Sequence, residues 1–450
     1  MTEQTPTRAP GPRGLPLLGS ALPFRKDLVG FMLNAWRQYG DIVRLNIRGK
    51  TVHLVSHPKH IQHVLVARRD NYYKGYGYHD QKLLLGEGLI TSEGELWERQ
   101  HYLMQPHFTP RRVADFADIM LDATRRMIER WAPRADGRQA IQVDDEMARL
   151  TGNIIVRILF DRDLDDEMSP LDEAFQYCIG FIDKRSADLI ALPMFLPTAA
   201  NRRFKHYLAS LYHYIDERVS EHRRGPGADD FLSVLLGSQS DDGESMSDTQ
   251  LRDELVTLFV AGYQTTMHAL TWTWYLLDQH PPVLARLLEE QQAVLGDREL
   301  TPADLRELSF TSMVFQEAMR LYPPVKVIVR QAREADAIAG FHIPAGSLIL
   351  ISPYITHRHP DLWPDPEQFD PQRFAPEQVE QRSRYAHIPF GAGPRICLGG
   401  SFSLLEASTV LTMVTRRYRL RLVPGHPVVH SMNVKTPPLY GMPMTLHPRT

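Results

Sequence analysis

The spacing of hydrophobic positions along the chain predicts a mainly α protein with a small β part. Apolar residues recur at helical intervals over residues 113–131, 146–160, 202–223 and 247–279. Short or alternating apolar runs bounded by turn residues predict strands over residues 43–47, 52–55, 337–343, 348–351, 418–422 and 444–446. The first two strands flank Arg48, Gly49 and Lys50 and therefore predict a hairpin, after which Pro58 begins a short helix.

The longest helical pattern, residues 247–279, has an unusual centre. Ser247 followed by Gln250 has the form of a capping box, and Pro281 ends the pattern, so this helix would cross the whole domain at about 1.5 Å per residue. The centre reads AGYQTT over residues 261–266, and a glycine inside a helix costs about 1 kcal/mol relative to alanine. Two interpretations stay open: Gly262 lets another helix pack closely, or the helix opens locally over a bound group.

A later helical pattern, residues 312–322, carries two opposite charges on one face. Glu317 and Arg320 are three residues apart and therefore neighbours on the helix surface. Such a pair contributes little on a surface, but in the interior both charges need further partners. A second guanidinium would suit the carboxylate, and Arg373 is the candidate.

Composition narrows the class of protein. The chain has 450 residues, with 51 Lys plus Arg against 54 Asp plus Glu, a net charge of -3, and 2 Cys. This balance argues against nucleic acid as the main partner, and two cysteines cannot form a disulfide framework. No apolar run approaches the roughly 18 residues that a membrane span needs. No linker divides the chain, so we expect one domain over residues 1–450, with an irregular Pro-rich lead-in over 1–16, in the cytoplasm.

The strongest chemical signal is a cysteine in a Gly-rich turn, PFGAGPRICLGG over residues 389–400. Gly391, Gly393 and Pro394 exclude a helix, and a helical pattern follows over residues 401–416, so Cys397 precedes a helix N-terminus that favours the thiolate. A packed core thiol is the commoner role of a lone cysteine, and it is the one we expect for Cys178. Zinc and iron–sulfur sites need several ligands, whereas haem iron takes four from its own ring and needs only one thiolate.

The residues around this cysteine match a family signature. Phe390, Gly393, Arg395, Cys397 and Gly399 fill the pattern F-x-x-G-x-R-x-C-x-G, and the chain thereby resembles the cytochrome P-450 family. Further motifs follow in the family's order: A-G-x-x-T-T over residues 261–266, E-x-x-R over 317–320, P-x-R-F over 371–374, and a tryptophan at position 97. The resemblance covers nearly the whole chain. It implies the cytochrome P-450 fold, a single large domain with a long central helix over haem.

The resemblance also implies roles for individual residues. Cys397 would be the metal ligand, bound to the iron of haem b. The other residues expected to contact the cofactor are Arg395, Arg330, His101, Trp97, Phe390, Gly391 and Gly399, with the arginines on the propionates and His101 where many relatives carry arginine. Glu317, Arg320 and Arg373 resemble the family's buried charge triad.

The residues expected at the oxygen-binding side are Thr265, Gln264 and Gly262. Thr265 resembles the alcohol that helps deliver protons to bound dioxygen, and Gly262 would leave room for the oxygen. The position before this threonine is commonly an acid in the family, but Gln264 cannot ionise. Proton delivery would therefore depend on water or on another residue.

The implied function is monooxygenation of a hydrophobic small molecule, at a C–H or C=C bond. Electrons would come from NAD(P)H through a separate ferredoxin or flavodoxin and its reductase. The expected pocket residues are Leu258, Ala261, Val325, Val329, Leu84 and Leu439, which suit a terpenoid, fatty acyl, steroid or polyketide substrate. The alternatives are a peroxide-driven peroxygenase, against which Thr265 argues, and a haem protein that binds a ligand without oxygenating it.

Overall fold

The computed structural model describes residues 6–162, 168–188, 191–224, 231–238 and 245–449, without the side chains of 168–172 and 187. The helices of the first half are α1 (Ala21–Lys26), α2 (Leu28–Tyr39), α3 (Pro58–Gln62), α4 (Lys82–Leu85), α5 (Gly94–Met104), α6 (Pro110–Ala114), α7 (Ala117–Trp131), α8 (Val143–Phe160), α9 (Met168–Ala187) and α10 (Ala199–Arg224). Those that follow are α11 (Phe231–Gly237), α12 (Asp248–Gln279), α13 (Pro281–Leu295), α14 (Ser309–Leu321), α15 (Pro353–Thr356), α16 (Pro376–Glu380) and α17 (Gly400–Arg417).

The strands form small sheets beside the helices. They are β1 (Ile42–Ile47), β2 (Lys50–Val55), β3 (Tyr72–Tyr73), β4 (Ala140–Gln142), β5 (Ile328–Ala332), β6 (Asp336–Ile338), β7 (Phe341–Ile343), β8 (Leu348–Ile351), β9 (Tyr418–Leu422) and β10 (Pro443–Pro448). The largest sheet has the order β1-β2-β8-β5-β3, in which β2 and β8 run parallel and the other pairs are antiparallel. The remaining sheets are β4-β10-β9 and the pair β6-β7.

Helix α12 is the centre of the helical part. The Ser247 hydroxyl accepts a hydrogen bond from the Gln250 N–H at 3.2 Å, so one half of the expected capping box forms. Most residues of α12 are buried, and the helix packs against α8 and α14. The hydroxyl of Thr151 in α8 donates to the carbonyl of Tyr263 in α12 at 3.1 Å. This helix therefore crosses the interior, and its side chains reach whatever the core encloses.

The predicted fold class, mainly α with a small β part, is confirmed. The expected hairpin is β1 and β2, and the helix after Pro58 is α3. In the described part of the chain, none of the helices combines the length and hydrophobicity needed to span a bilayer.

Two predicted elements are wrong in detail. Residues 113–131 are not one helix, because α6 ends at Ala114 and the amides of Asp115 and Phe116 bond three residues back instead of four, before α7 begins. Residues 337–343 are not one strand but the hairpin β6-β7. Its turn residues, Ala339 and Gly340, have φ of 50° and 80°, which is the left-handed geometry of a tight hairpin turn.

Candidate functional site

The turn around Cys397 depends on glycines that no other residue could replace without strain. Gly393 has a φ of +74°, and a Cβ there would lie 2.1 Å from the Leu65 carbonyl oxygen. The Cys397 N–H donates to the Phe390 carbonyl at 2.9 Å, which closes the turn, and α17 begins at Gly400. The ring of Phe390 lies against Gly400. The motif therefore forms a rigid support that fixes the position of the cysteine.

Cys397 combines exposed surface with a desolvated thiol. Cys397 has exposed surface, although the surrounding protein is dense enough to desolvate its thiol. Burial raises the pKa of this thiol, while a hydrogen bond from the Gly399 N–H acts in the opposite direction. Desolvation is the larger effect on the free thiol, whereas the backbone N–H at the start of α17 acts in the direction that the sequence predicted. Cys178 differs: it is fully buried, and burial raises its pKa to about 12, as expected of a core thiol.

A stripe of half-buried residues interrupts the burial of α12. Leu258, Ala261, Gly262 and Thr265 have intermediate exposure, while most of their neighbours along the helix are buried. Their spacing of three and four residues places them on one face of the helix. Because α12 lies mostly in the interior, four partly exposed residues on one face mean that the neighbouring elements cover this face incompletely.

The helix is continuous through residues 261–266, so it does not open locally as one of the two interpretations required. A Cβ on Gly262 would lie 3.0 Å from Cδ1 of Ile155 in α8, so the glycine serves close helix packing. The hydroxyl of Thr265 donates to the Ala261 carbonyl at 2.7 Å. This bond uses the hydroxyl proton and leaves the oxygen of Thr265 able to accept another hydrogen bond.

The cysteine turn and the α12 stripe are neighbours. The hydroxyl of Thr266 donates to the hydroxyl of Ser403 at 3.1 Å, and both residues are buried. Thr266 follows Thr265 directly, and Ser403 lies in the first turns of α17, just after Cys397. A cysteine with exposed surface and an incompletely covered, hydroxyl-bearing helix face therefore lie on neighbouring elements.

A cluster of cations lies beside the cysteine turn. The guanidinium of Arg395 bonds the Ser92 carbonyl at 2.9 Å and the Glu93 carboxylate at 3.1 Å. It also lies over the ring of Trp97, 3.9 Å from the centroid. Burial lowers the pKa of Arg395 to about 10, partly offset by Glu93. The ring of His101 packs on Trp97 with centroids 4.9 Å apart, and burial followed by the charge of Arg395 lowers its pKa.

The cluster includes Lys74, a residue that the sequence analysis did not single out. Lys74 is buried, and its ammonium donates to the carbonyls of Leu89 and Ile90. Burial, and then the charges of Arg395 and Arg330, lower its pKa far below the usual range. One sequence signal was available, because Lys74 interrupts an otherwise aromatic and glycine-rich run, YYKGYGY over residues 72–78.

Arg330 completes the cationic side. It lies on β5, is buried, and donates to the carbonyl of Val329 at 2.8 Å. The guanidinium groups of Arg330 and Arg395 interact with each other and with Lys74, while Glu93 and Glu254 supply the negative charge nearby. Two neighbouring guanidinium groups fit an anionic group with carboxylates or phosphates.

The three charged residues of the expected triad meet in the core. Arg320 bonds both oxygens of Glu317, at 2.6 and 2.8 Å, and the two side chains are fully buried. Nε of Arg373 lies 3.5 Å from the same carboxylate, and the backbone N–H of Asp370 donates to it at 2.9 Å. Arg320 also bonds the backbone carbonyls of His357, Pro366 and Gln368. The triad therefore ties α14 to the segment that leads to the cysteine turn.

The residues expected to line the pocket lie on several elements and differ in their exposure. Leu258 and Ala261 belong to the stripe on α12, and Val329 is on β5 next to Arg330. Leu84 is buried within α4, whereas the side chain of Leu439 is 54% exposed on a loop. Val325 forms a bridge with Lys435.

Comparison with known proteins now decides the family. The family model described as Cytochrome P-450 matches residues 9–443. The chain belongs to the cytochrome P-450 family. It is a cytochrome P-450 monooxygenase, and haem with a cysteine thiolate is the family's cofactor. In the described part of this P-450, no three His, Cys, Asp or Glu side chains are grouped as a metal ion held by protein alone would need.

Relatives and a solved structure match this chain over nearly its whole length. Cyclooctatin synthase of Streptomyces melanosporofaciens is 38% identical over 427 residues, which cover 93% of this P-450 and 91% of the relative. Cyclooctat-9-en-7-ol 5-monooxygenase of the same organism is 33% identical over 438 residues, 94% of each chain. The crystal structure of the cytochrome P-450DA heme domain superposes with a TM-score of 0.92 at 25% identity, covering 99% of this chain and 98% of that one.

Proposed function

We propose that this P-450 inserts one oxygen atom of dioxygen into a C–H or C=C bond of a hydrophobic terpenoid. The observation that carries the proposal is the position of the Cys397 turn beside the partly exposed α12 stripe with Thr265, which we infer to be the two borders of one internal space. The Thr266–Ser403 hydrogen bond fixes these two borders relative to each other. An enclosed space with a thiol on one side and a hydroxyl on the other suits oxygen chemistry kept away from bulk water.

The residues present fit a haem group. Cys397 would bind the iron, and a metal-bound thiol loses its proton whatever its pKa in the free protein. Arg330 and Arg395 would hold the propionates, whose negative charge suits two neighbouring guanidinium groups. His101 would act as a neutral N–H donor, because its pKa is lowered. When bound, the haem supplies the activation of dioxygen.

The chain's own residues have separate tasks around that group. Leu258 and Ala261 offer the substrate an apolar surface on α12. Thr265 presents a hydroxyl oxygen on the same face, held in place by its bond to the Ala261 carbonyl. That oxygen orients the water or dioxygen from which the reaction proceeds, and the surrounding apolar side chains exclude further water.

Terpenoids are the substrate class that the relatives favour. Related Streptomyces enzymes oxidise terpenoids, and the name of one relative specifies an alcohol that also carries a double bond. The stripe on α12 has leucine, alanine and glycine beside its one hydroxyl. A largely apolar wall of this kind suits a polycyclic hydrocarbon skeleton with few polar groups.

Electrons reach this P-450 from NAD(P)H through a separate ferredoxin or flavodoxin and its reductase in the cytoplasm. The Streptomyces relatives have nearly the same length as this chain, since the matched region covers 91% and 94% of them.

The test is oxygen labelling. The purified protein, loaded with haem, is incubated with a ferredoxin, its reductase, NADPH and a panel of cyclic terpenoid hydrocarbons and alcohols under ¹⁸O₂. We expect a product that carries one labelled oxygen atom. A product formed with hydrogen peroxide alone, and none with NADPH and ¹⁸O₂, would replace the proposal with a peroxygenase. Binding of terpenoids without any product in either assay would replace it with a ligand-binding haem protein.

A further inference from the structure

A polar bridge runs across the flank of α12 beside the stripe. The ammonium of Lys435 donates to the side-chain oxygen of Gln264 at 3.0 Å and to the carboxylate of Asp183 at 3.2 Å. Asp183 belongs to α9, Gln264 to α12, and Lys435 to the loop that precedes β10. One ammonium therefore connects three separate segments of the chain.

The backbone fixes the position of Lys435. Val325 and Lys435 form an antiparallel bridge, and the adjacent Lys326 N–H donates to the Val434 carbonyl at 2.8 Å. This backbone pairing therefore holds Lys435 at a place from which its ammonium reaches Gln264.

The Lys435–Asp183 end of this hydrogen-bonded chain reaches solvent. The side chain of Lys435 is 31% exposed and that of Asp183 is 56% exposed, so water has access to both. On the same side of α12, one turn after Gln264, His268 is buried, and burial lowers its pKa to about 3. His268 is therefore neutral near pH 7 and does not carry protons there.

Gln264 is held from two sides. Its oxygen accepts from Lys435, and its amide nitrogen donates to the side-chain oxygen of Gln176 in α9 at 3.4 Å. An amide cannot ionise, so Gln264 cannot itself supply a proton. Gln264 directly precedes Thr265 in the sequence, and its side-chain oxygen holds the ammonium of Lys435 against this side of α12.

We propose that Lys435, with Asp183, is the positioning residue for proton supply in this P-450, standing in for the acid that Gln264 lacks. This inference rests on the proposed monooxygenase function. Each turnover takes two electrons from the reduced protein partner and two protons, places one oxygen atom in the substrate and releases the other as water. Lys435 holds Gln264 and the water beside it in place, and the exposed end of the chain at Asp183 connects that water with solvent, from which the protons come. Lys435 acts through Gln264 and water and does not touch the substrate.

The test compares Lys435→Met with Lys205→Met, a matched control on the exposed side of α10. We call the product formed per NADPH consumed the coupling. We expect Lys435→Met to lower the coupling by roughly ten-fold and to increase the solvent isotope effect on product formation. Substrate affinity, measured by the spin-state shift, should change by less than about two-fold, and Lys205→Met should behave as the wild type. Unchanged coupling in Lys435→Met would overturn the inference.

A rescue variant separates proton supply from a structural role. Adding Gln264→Glu to Lys435→Met places an ionisable acid on the same flank, and we expect it to restore most of the coupling. A loss of coupling that Gln264→Glu does not restore would assign Lys435 a structural role only and overturn the inference. If Lys435→Met does not fold, Asp183→Asn at the exposed end of the bridge is measured instead, and wild-type coupling and isotope effect there would overturn it.

The same experiments distinguish this inference from the proposed function. Wild-type protein that yields no NADPH-dependent product would overturn both, because the inference depends on oxygen chemistry. Wild-type product together with normal coupling in Lys435→Met would overturn the inference alone.

Discussion

The guanidinium of Arg395 lies over the indole of Trp97, 3.9 Å from the ring centroid, and ties the cysteine turn to helix α5. Arg395 also bonds the backbone and carboxylate of the segment before α5. The two residues are far apart in sequence, so this contact holds two parts of the proposed haem site together. Its loss should loosen the site without unfolding the protein.

Replacing Trp97 tests this contact. A cation–π contact of this kind contributes on the order of 1 kcal/mol, so Trp97→Ala should release haem about five-fold faster than wild type, whereas Trp97→Phe, which keeps a ring face, should change the rate less. The measurement is the rate of haem transfer to an excess of apomyoglobin. Equal rates in wild type and Trp97→Ala would show that the contact does not support haem retention.

Replacing Thr265 tests the hydroxyl on the α12 stripe. Thr265→Ala removes the oxygen that orients water and should divert electrons from product to hydrogen peroxide, while Thr265→Ser keeps the hydroxyl and should stay close to wild type. Product and peroxide are measured per NADPH consumed. Unchanged product per NADPH in Thr265→Ala would remove Thr265 from proton delivery.

Breaking the buried triad should destabilise the protein strongly. Glu317→Gln leaves Arg320 and Arg373 without their carboxylate in the core, and such a change costs about 3 to 5 kcal/mol. Glu173→Gln, which breaks an exposed pair with Arg203, is the control and should cost less than about 1 kcal/mol. Both are measured by denaturant unfolding. Similar costs for the two variants would contradict the structural role of the triad.

Buried histidines should make the fold sensitive to acid. Burial lowers the pKa of His268 from 6.5 to about 3, so below pH 6.5 the unfolded chain binds a proton that the folded protein does not. Stability contributed by neutral His268 is therefore present above pH 6.5 and is lost as the pH falls, by on the order of 1.4 kcal/mol per pH unit.

His268→Leu should flatten this dependence between pH 6 and 4, while the exposed His213→Leu should leave it unchanged. The free energy of unfolding is measured by urea denaturation across that range. Parallel curves for wild type and His268→Leu would mean that His268 is protonated in the folded protein.

The structural features that the sequence predicted correctly depend mostly on residues close together in the chain. The turn around Cys397 depends on glycines and a proline within a few residues, so its shape and its place before α17 were readable. The helix face of Glu317 and Arg320 was readable for the same reason. These features do not depend on how distant segments pack.

Contacts between distant segments were not predictable in the same way. Lys74 comes close to Arg330 because β3 pairs with β5 in the large sheet, and no local spacing encodes that pairing. The contact of Gln264 with Lys435 likewise joins residues far apart in the chain. At Cys397 the sequence likewise shows the helix N-terminus but not the desolvation that opposes its effect on the free thiol.

The reduced, carbon monoxide-bound difference spectrum of the purified protein tests the central claim most directly, because it reports the ligand on the iron. We predict a Soret band near the wavelength that gives the family its name. This band should remain in Cys178→Ser, because Cys178 is a core thiol, and it should be lost in Cys397→Ser. A band characteristic of histidine-ligated haem in the wild type, or a thiolate band that survives in Cys397→Ser, would contradict it.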